Sequence, residues 1–271
     1  MQAPELTSTE EAWREQHELL CDAVREAGEL ALRMRHAGVG SWDKKDGSPV
    51  SEADLAVDQL LAARLRSATP DFGWLSEETA REDMTELKHN VWVVDPIDGT
   101  SAYLGGSDHW CVGACLLSHG RPVAAAAFAP AQNRFYDAVS GGGARLNGNA
   151  MHISDKSKLD GSRFVAHKSA ISQSKWKSPV PQINCAMTTS LILRQCVVAT
   201  GEFDGAIAFG KKHDWDLAPG DLIVHEAGGF TLDLDGQRFM YNCSSTRQNG
   251  LMAGSKALLD EISERLHTVA A

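Results

Sequence analysis

The stretch Val91-Trp92-Val93-Val94-Asp95-Pro96-Ile97-Asp98-Gly99-Thr100 decides how this chain of 271 residues is read. Val91 to Val94 is a short apolar run that halts at an Asp-Pro pair, the pattern of a buried strand. Asp95 therefore stands at a strand's carboxyl end, and Pro96 locks an extended turn after it. Asp98, three residues on, can swing back towards the same point. Two carboxylates aimed into one site repel unless cations lie between them. A ligand set made only of oxygen selects hard ions, Mg²⁺ above all. Gly99 lets the backbone come close to an anion, and Thr100 with Ser101 opens the next helix, whose free N–H groups suit a phosphate.

Two further acidic clusters flank this one. Ser76-Glu77-Glu78 follows the apolar Phe72-Gly73-Trp74-Leu75, and Asp214-Trp215-Asp216 stands at the start of a helix. Proline is tolerated among the first helical positions, so Pro219 predicts a helix beginning at or next to Asp216, with that carboxylate at its mouth. Taken singly, each cluster has a plain reading as a solvated face, a turn or an N-cap. Counting charges does not choose between these.

Composition bounds the answer from outside. The hydrophobic fraction of 43% and charged fraction of 23% are those of an ordinary globular enzyme. No run approaches the roughly 18 apolar residues of a membrane helix. The segment Met1 to Glu11 is polar and acidic, without the basic and apolar regions of a signal peptide, so a cytoplasmic location is expected. A net charge of −10 argues against nucleic acid as the main partner. It also conflicts with an anionic substrate, and bound divalent cations remove that conflict by reversing the local field. The six cysteines are scattered, with no CxxC pair and no zinc-ligand spacing, so they read as reduced and mostly buried thiols. Among ten histidines, His213 adjoins the acidic helix and reads as structural or surface. Trp215 reads as packing under Asp216 to fix its orientation.

Periodicity predicts a long amphipathic helix over Trp13 to Met34 and a second over Ser51 to Ser67, capped by Ser51. Strands are expected at Trp110 to Leu117, Val123 to Phe128 and Phe135 to Val139, the last ended by Gly141-Gly142-Gly143. Beyond Asn147-Gly148 the elements alternate: strand near Phe164 to Ala166, helix near Leu191 to Thr200, strand near Gly205 to Ala208, helix from about Leu217 to Ala227, and a last helix over about Ser255 to Leu266. This pattern indicates two layered α/β halves, 1–150 and 151–271, rather than a barrel.

Together the clusters resemble the signatures of the inositol monophosphatase family. The resemblance rests on Glu77-Glu78, on Trp92 through Thr100, on Trp215-Asp216-Leu217-Ala218-Pro219-Gly220, and on Lys45 through Asp54 upstream. It implies an α/β fold with α+β mixing, an α/β/α/β/α layered sandwich of the sugar-phosphatase type whose two halves share one active site. The first half would carry most metal ligands and the second would complete the metal and substrate site. It also implies a lithium-sensitive phosphomonoesterase, usually a homodimer, using two or three Mg²⁺ per site on a small-molecule phosphate ester. By the resemblance, Glu77, Asp95 and the Ile97 carbonyl bind one metal, and Asp95, Asp98 and Asp216 hold the second. Thr100, hydrogen-bonded to Asp54, would orient the attacking water and help deprotonate it, so Asp54, Thr100 and Glu77 form the catalytic set. Backbone N–H groups of Gly99 and Thr100, with Ser101 beside them, would hold the phosphate during an in-line displacement. No phosphoenzyme is required, and no cysteine or histidine need act as nucleophile.

Departures from the family concern the substrate. Inositol-specific members carry a glutamate seven residues before the last metal aspartate, and Phe209 stands there instead, followed by Lys211 and Lys212. The loss of an acceptor and the gain of cations suit a second phosphate or a carboxylate. The family's Gly-Thr/Ser-Ala loop is Thr189-Ser190-Leu191, which places Ser190 at the substrate rim. Pro219-Gly220 replaces the usual Ala-Gly without expected harm. Inositol phosphates, a 3′(2′),5′-bisphosphate nucleotide and histidinol phosphate therefore stand as alternative substrates. A non-catalytic regulatory or binding protein on the same fold is the rival class, against which stands the retention of every metal and water-activating side chain.

Overall fold

The computed structural model describes residues 8–45, 47–79, 88–177, 179 and 181–267. The first seven residues of the acidic N-terminal segment, and Asp46 of the Lys45–Asp54 stretch, lie outside them. Leu20, Val24, Ala27 and Ala31 recur at helical spacing and bury one stripe of α1 (Ser8–Ala37). A small antiparallel hairpin, β1 (Ser41–Asp43) with β2 (Pro49–Ser51), follows. Ser51 and Asp54 then form a capping box that starts α2 (Glu52–Ala68).

The next strands build one sheet of seven in sequence order. They are β3 (Gly73–Ser76), β4 (Asn90–Asp98), β5 (Cys111–Ser118), β6 (Arg121–Ala129), β7 (Arg134–Val139), β8 (Gly143–Leu146) and β9 (Asn149–Ala150), with the short helix α3 (Thr100–Leu104) between β4 and β5. Only β3 and β4 pair in parallel; the others are antiparallel. The second sheet runs β11-β10-β12-β14-β13. Its strands are β10 (Arg163–Ala166), β11 (Asn184–Ala186), β12 (Gly205–His213), β13 (Phe230–Leu232) and β14 (Arg247–Gly254). Three helices accompany it: α4 (Leu191–Ala199), α5 (Asp214–Glu226) and α6 (Lys256–Arg265).

Three apolar layers hold these pieces together. Leu20 and Val24 of α1 and Val57 and Leu61 of α2 cover Val94, Val112 and Ala126 on the outer face of the large sheet. On its inner face Cys115 and Tyr136 meet Ile192 of α4 and Leu217 and Leu222 of α5, which in turn cover Ala206 and Leu251 of the second sheet. Phe164, Ile207 and Met252 on the far side of that sheet pack against Leu258, Leu259 and Ile262 of α6. The result is the expected α/β/α/β/α sandwich. Each buried aliphatic side chain contributes roughly 1.5–3 kcal/mol, and an exposed ion pair such as Arg14–Glu18 less than about 1 kcal/mol, so burial decides the stacking.

Several boundaries differ from the sequence reading. The strand expected to stop at Val94 runs to Asp98, because β5 continues to pair with it. The third strand does end at Val139 before the glycines, but after a turn through Gly141 and Gly142 the chain pairs again as β8 from Gly143. The long central β14 escaped notice, since Arg247-Gln248-Asn249-Gly250 hides its polar first half. Helix α5 starts at Asp214 rather than at Asp216 or Leu217, with His213 as N-cap, and Pro219 lies inside it.

A charged contact ties the start of β10 to the residue before β12. The Asp204 carboxylate, 6% exposed, accepts from Arg163 N at 2.8 Å and Arg163 Nη2 at 3.0 Å. Burial alone would raise its pKa, but the Arg163 hydrogen bonds outweigh this and hold it below the usual carboxylate value. A depressed folded-state pKa gives stability that is present above the unfolded value near about 4 and is lost as pH falls through the folded value. Asp204→Asn is expected to lower unfolding free energy by about 1–2 kcal/mol at pH 7. In urea melts at a series of pH values, the gap from the unsubstituted protein should close on acidification; a gap independent of pH would refute this account.

Candidate active site

The parallel pair β3 and β4 ends at one edge, and there the acidic clusters meet. Glu77 leaves β3 with its N–H on the Val94 carbonyl at 3.2 Å, directly beside Asp95. On β4, Asp95 pairs with Gly113 but Asp98 pairs with Cys111, so three residues of β4 advance against two of β5. This bulge matters because side chains three apart on a regular strand point to opposite faces. Gly113 and Cys111 share a face, so the extra residue brings Asp95 and Asp98 onto the same one. Ile97 is turned the other way into the outer core, leaving its carbonyl towards Thr100 Oγ1 at 3.1 Å.

Four helix N-termini close the site. Asp54 at the third position of α2 accepts from Ser51 N at 2.8 Å, from Ser51 Oγ and, through its other oxygen, from Thr100 Oγ1 at 3.1 Å. Thr100 has one hydroxyl proton for two acceptors, Asp54 and the Ile97 carbonyl, and so is poised to switch between them. Gly99 is the N-cap of α3. Asp98 caps α4, accepting from Ser190 Oγ at 2.6 Å, Ile192 N at 2.6 Å and Leu191 N at 3.1 Å. Asp216, third residue of α5, accepts from His213 N at 2.7 Å, and Gln195 donates to its carbonyl at 3.3 Å. Gln195 reaches it because Gly220 has no side chain: a Cβ there would lie 2.4 Å from Gln195 Nε2. Helix N-termini carry partial positive charge, which offsets part of the repulsion among the acids.

They do not offset all of it. Burial, then the charges of Glu77, Asp98, Asp216 and Asp54, push Asp95 well above the usual carboxylate range. Burial, with Asp98 next, raises Asp216 to about 7. Burial also raises Asp98 to about 6 despite its hydrogen bonds. Asp95 is 1% exposed, and its Oδ1 has no hydrogen-bond partner. A buried carboxylate oxygen in that condition is costly unless a cation meets it. The donor set is oxygen throughout, and the Ile97 carbonyl keeps a second lone pair, so these residues fit a hard divalent ion. Lys44, from the β1–β2 loop, already lays its ammonium 2.8 Å from both Glu77 and Glu78. Burial would lower its pKa, yet the Glu77 charge and the hydrogen bonds to the pair raise it.

Two cavities open on this part of the molecule, and acids line one of them. One of about 560 Å³ is lined by Lys44, Glu77, Asp216, Trp42 and Arg247. The other, of about 290 Å³, is lined by Thr189, Arg194, Phe209, Lys212, His167 and Ser169 among others. Phe209 therefore does face a cavity, with Lys175 Nζ 4.8 Å from its ring centre. Lys211 is exposed and is not part of either lining, whereas Lys212 is, because successive strand residues point opposite ways. Ser190, expected at the substrate rim, is fully buried and divides its hydroxyl between Asp98 and the N–H of Leu193. Ser101 is exposed on α3. Trp215 is buried between the sheets and stacks on His213 at 4.4 Å and 5°.

Sequence reasoning missed Arg194 and His167. Arg194 is 8% exposed on α4 and donates to the Thr188 carbonyl at 2.9 Å. Burial lowers its pKa, with the Asp98 charge acting against the shift. A cation inside the apolar run Leu191-Ile192-Leu193-Arg194-Gln195-Cys196 was the available signal. His167 sits just after β10, and no local pattern marks it.

With this geometry in place, comparison with known proteins is direct. The sequence model of the inositol monophosphatase family matches residues 12–270, and the chain belongs to that family. It is 34% identical over 229 residues to the Nus factor SuhB of Pseudomonas aeruginosa, covering 79% of this chain and 83% of the relative. It is 30% identical over 230 residues to the 3'(2'),5'-bisphosphate nucleotidase CysQ of Aggregatibacter actinomycetemcomitans, covering 82% and 85%. The Thermotoga maritima IMPase structure superposes with a TM-score of 0.78 at 21% identity, over 92% of this chain and 96% of that one, which shows the shared fold. Among the described residues no helix is long and apolar enough to cross a membrane.

Gly99 provides a test of the backbone geometry. Its φ of +100° is one that L side chains rarely adopt, and a Cβ would lie 3.1 Å from the His109 carbonyl. Gly99→Ala is expected to lose about 1–2 kcal/mol, read as a fall of roughly 2–8 °C in the thermal midpoint. An unchanged midpoint would show that this turn relaxes freely.

Proposed function

We propose that the chain hydrolyses a small phosphate monoester with the help of divalent metal ions, Mg²⁺ by preference and two or three per site. The observation that carries this reading is the buried, partnerless Oδ1 of Asp95 among Glu77, Asp98, Asp216 and Asp54. Glu77, Asp95 and the Ile97 carbonyl would hold one ion, and Asp95, Asp98 and Asp216 another. Bound there, the metal supplies positive charge that polarises the phosphoryl group and lowers the pKa of water. The chain's own groups do the rest. The Thr100 hydroxyl orients the attacking water, and its hydrogen bond to Asp54 gives the proton a carboxylate to move towards. The N–H groups of Gly99, Thr100 and Ser101, at the first turn of α3, bind the phosphate oxygens. Ser190 and the start of α4 hold Asp98 in one orientation, which makes Ser190 a positioning residue in this reading. Family membership likewise supports a homodimer.

For the leaving group we favour one that carries a second anionic centre. Arg194 and Lys212 bring positive charge into the smaller cavity, and Phe209 and His167 offer flat surfaces against which a ring can lie. A nucleoside 3′(2′),5′-bisphosphate satisfies both features, and the CysQ relative's name supports it. Inositol phosphates and histidinol phosphate are the alternatives. The Nus factor name of another relative keeps a regulatory role open beside, or in place of, catalysis.

Phosphate release from inositol 1-phosphate, histidinol phosphate and adenosine 3′,5′-bisphosphate, with Mg²⁺ and after chelation, tests these readings together. Activity is expected only with metal, and Asp95→Asn should lower it by roughly 100-fold or more. No release from any ester by the unsubstituted protein would favour the regulatory reading. Arg194→Met should raise KM for the bisphosphate by about tenfold and leave a simple monoester's kcat/KM nearly unchanged. Equal losses on both substrates would remove Arg194 from substrate selection.

A further inference from the structure

Away from the carboxylate cluster, three unlike donors meet on the outer face of the seven-stranded sheet. His17 and Cys21 stand one turn apart on α1, so both project from the same side of the helix. Asp137 rises to meet them from β7, on the face that also presents Phe135. His17 Nε2 lies 3.4 Å from Cys21 Sγ and 3.3 Å from Asp137 Oδ2. One ligand atom from each of the three residues falls within 4.8 Å of the other two. His17 and Asp137 are 9% and 8% exposed, and Cys21 is half-buried.

A single imidazole nitrogen offers either one proton or one lone pair, so hydrogen bonding gives it a good bond in one direction only. Here a thiol and a carboxylate crowd the same nitrogen. A tetrahedral ion with bonds of about 2.0 Å to nitrogen and oxygen and about 2.3 Å to sulfur sets its ligand atoms roughly 3.3–3.6 Å apart. The two spacings observed at His17 Nε2 match those values before any ion has drawn the side chains together.

We propose that His17, Cys21 and Asp137 form a second, independent metal site, selective for a borderline-soft divalent ion such as Zn²⁺, with water as the fourth ligand. The donor chemistry separates it from the active site: nitrogen, sulfur and oxygen here, oxygen alone there, so Mg²⁺ and Zn²⁺ sort to different places. Binding forms the metal–sulfur bond and releases the Cys21 thiol proton to solvent. Burial, reinforced by the Asp137 charge, holds that thiol well above its ordinary pKa, so it stays protonated until an ion arrives. Two cations stand nearby. Arg145 Nη1 lies 3.7 Å from Asp137 Oδ2, on a side chain 37% exposed and able to swing outward. Arg25, one turn beyond Cys21, is stacked 4.0 Å over the Phe135 ring. Occupied, the site clamps α1 to β7 across the outer layer.

The reading of the cysteines by short Cys–Cys spacing passes over this site, because only one ligand is a thiol and Asp137 lies far along the chain from the other two. Co²⁺ titration of the chelator-stripped full chain in excess Mg²⁺ tests it. The expected result is one equivalent of Co²⁺ with a thiolate-to-cobalt charge-transfer band, displaced by Zn²⁺. Cys21→Ser should abolish the band, and His17→Gln should weaken Co²⁺ binding by about tenfold or more. Zn²⁺ should raise the thermal midpoint of the unsubstituted protein and leave that of Cys21→Ser unmoved. No band in the unsubstituted protein overturns the proposal, and so does an undiminished band in Cys21→Ser, which would assign it to another thiol such as the exposed Cys243. Should Cys21→Ser fail to fold, the His17→Gln titration decides. These readouts are spectroscopic and thermal, so they stand apart from the phosphatase reading.

Discussion

Mutual repulsion of buried carboxylates is the constraint on which this structure turns. The charges of Glu77, Asp98, Asp216 and Asp54 raise the cost of ionising Asp95, and those of Asp98 and Glu77 the cost of ionising Asp216, at one edge of the large sheet. A chain gains nothing in stability from such a cluster, since burying like charges is strongly unfavourable without compensation. The architecture supplies compensation in three forms. Four helices, α2 to α5, aim their N-termini inward; hydroxyl and backbone donors reach Asp54 and Asp98; and the Lys44 ammonium bridges Glu77 and Glu78. What is left uncompensated is above all Asp95 Oδ1, the atom on which the proposed metal chemistry rests.

The sandwich exists to hold those helix ends in register. Helices α4 and α5 lie between the two sheets, so their N-termini are set by packing on both sides rather than by a loop. Gly220 lets α4 and α5 approach until Gln195 touches the Asp216 carbonyl, which links the Asp98 helix to the Asp216 helix through one side chain. The bulge at Pro96-Ile97 does the same for the strand, turning what would be opposed aspartates into neighbours. Small departures from regular geometry thus carry the chemistry, while regular elements carry the stability.

The smaller cavity follows from a different choice. At the end of β12, a register shift between Ala208 and Lys211 turns Lys212 inward and leaves Lys211 outside. Arg194, planted on α4 a turn beyond Ser190, reaches the same space from the opposite wall. The acidic cluster and these cations are thus held by neighbouring packed layers, α4 lying between the two sheets.

Much of this was legible in the linear chain, and the reason is local. Asp95-Pro96-Ile97-Asp98-Gly99-Thr100 encodes its own pair of carboxylates and its own helix start, so together with the flanking acidic clusters it made the family readable. The capping of α2 by Ser51, the β5–β6 hairpin and the apolar stripe of α1 were readable for the same reason: each depends on neighbours within a few positions. Other features depended on partners far away. That Ser190 serves Asp98 is set by the docking of α4 against β4, across 92 positions of chain. Which of two adjacent lysines faces the cavity is set by a register shift against β14, and the meeting of His17 and Cys21 with Asp137 by the seating of α1 on β7. The chain alone determined what chemistry is present, because residue type and short spacing set it; only the tertiary structure decided which side chains share a space, because that is a property of packed layers.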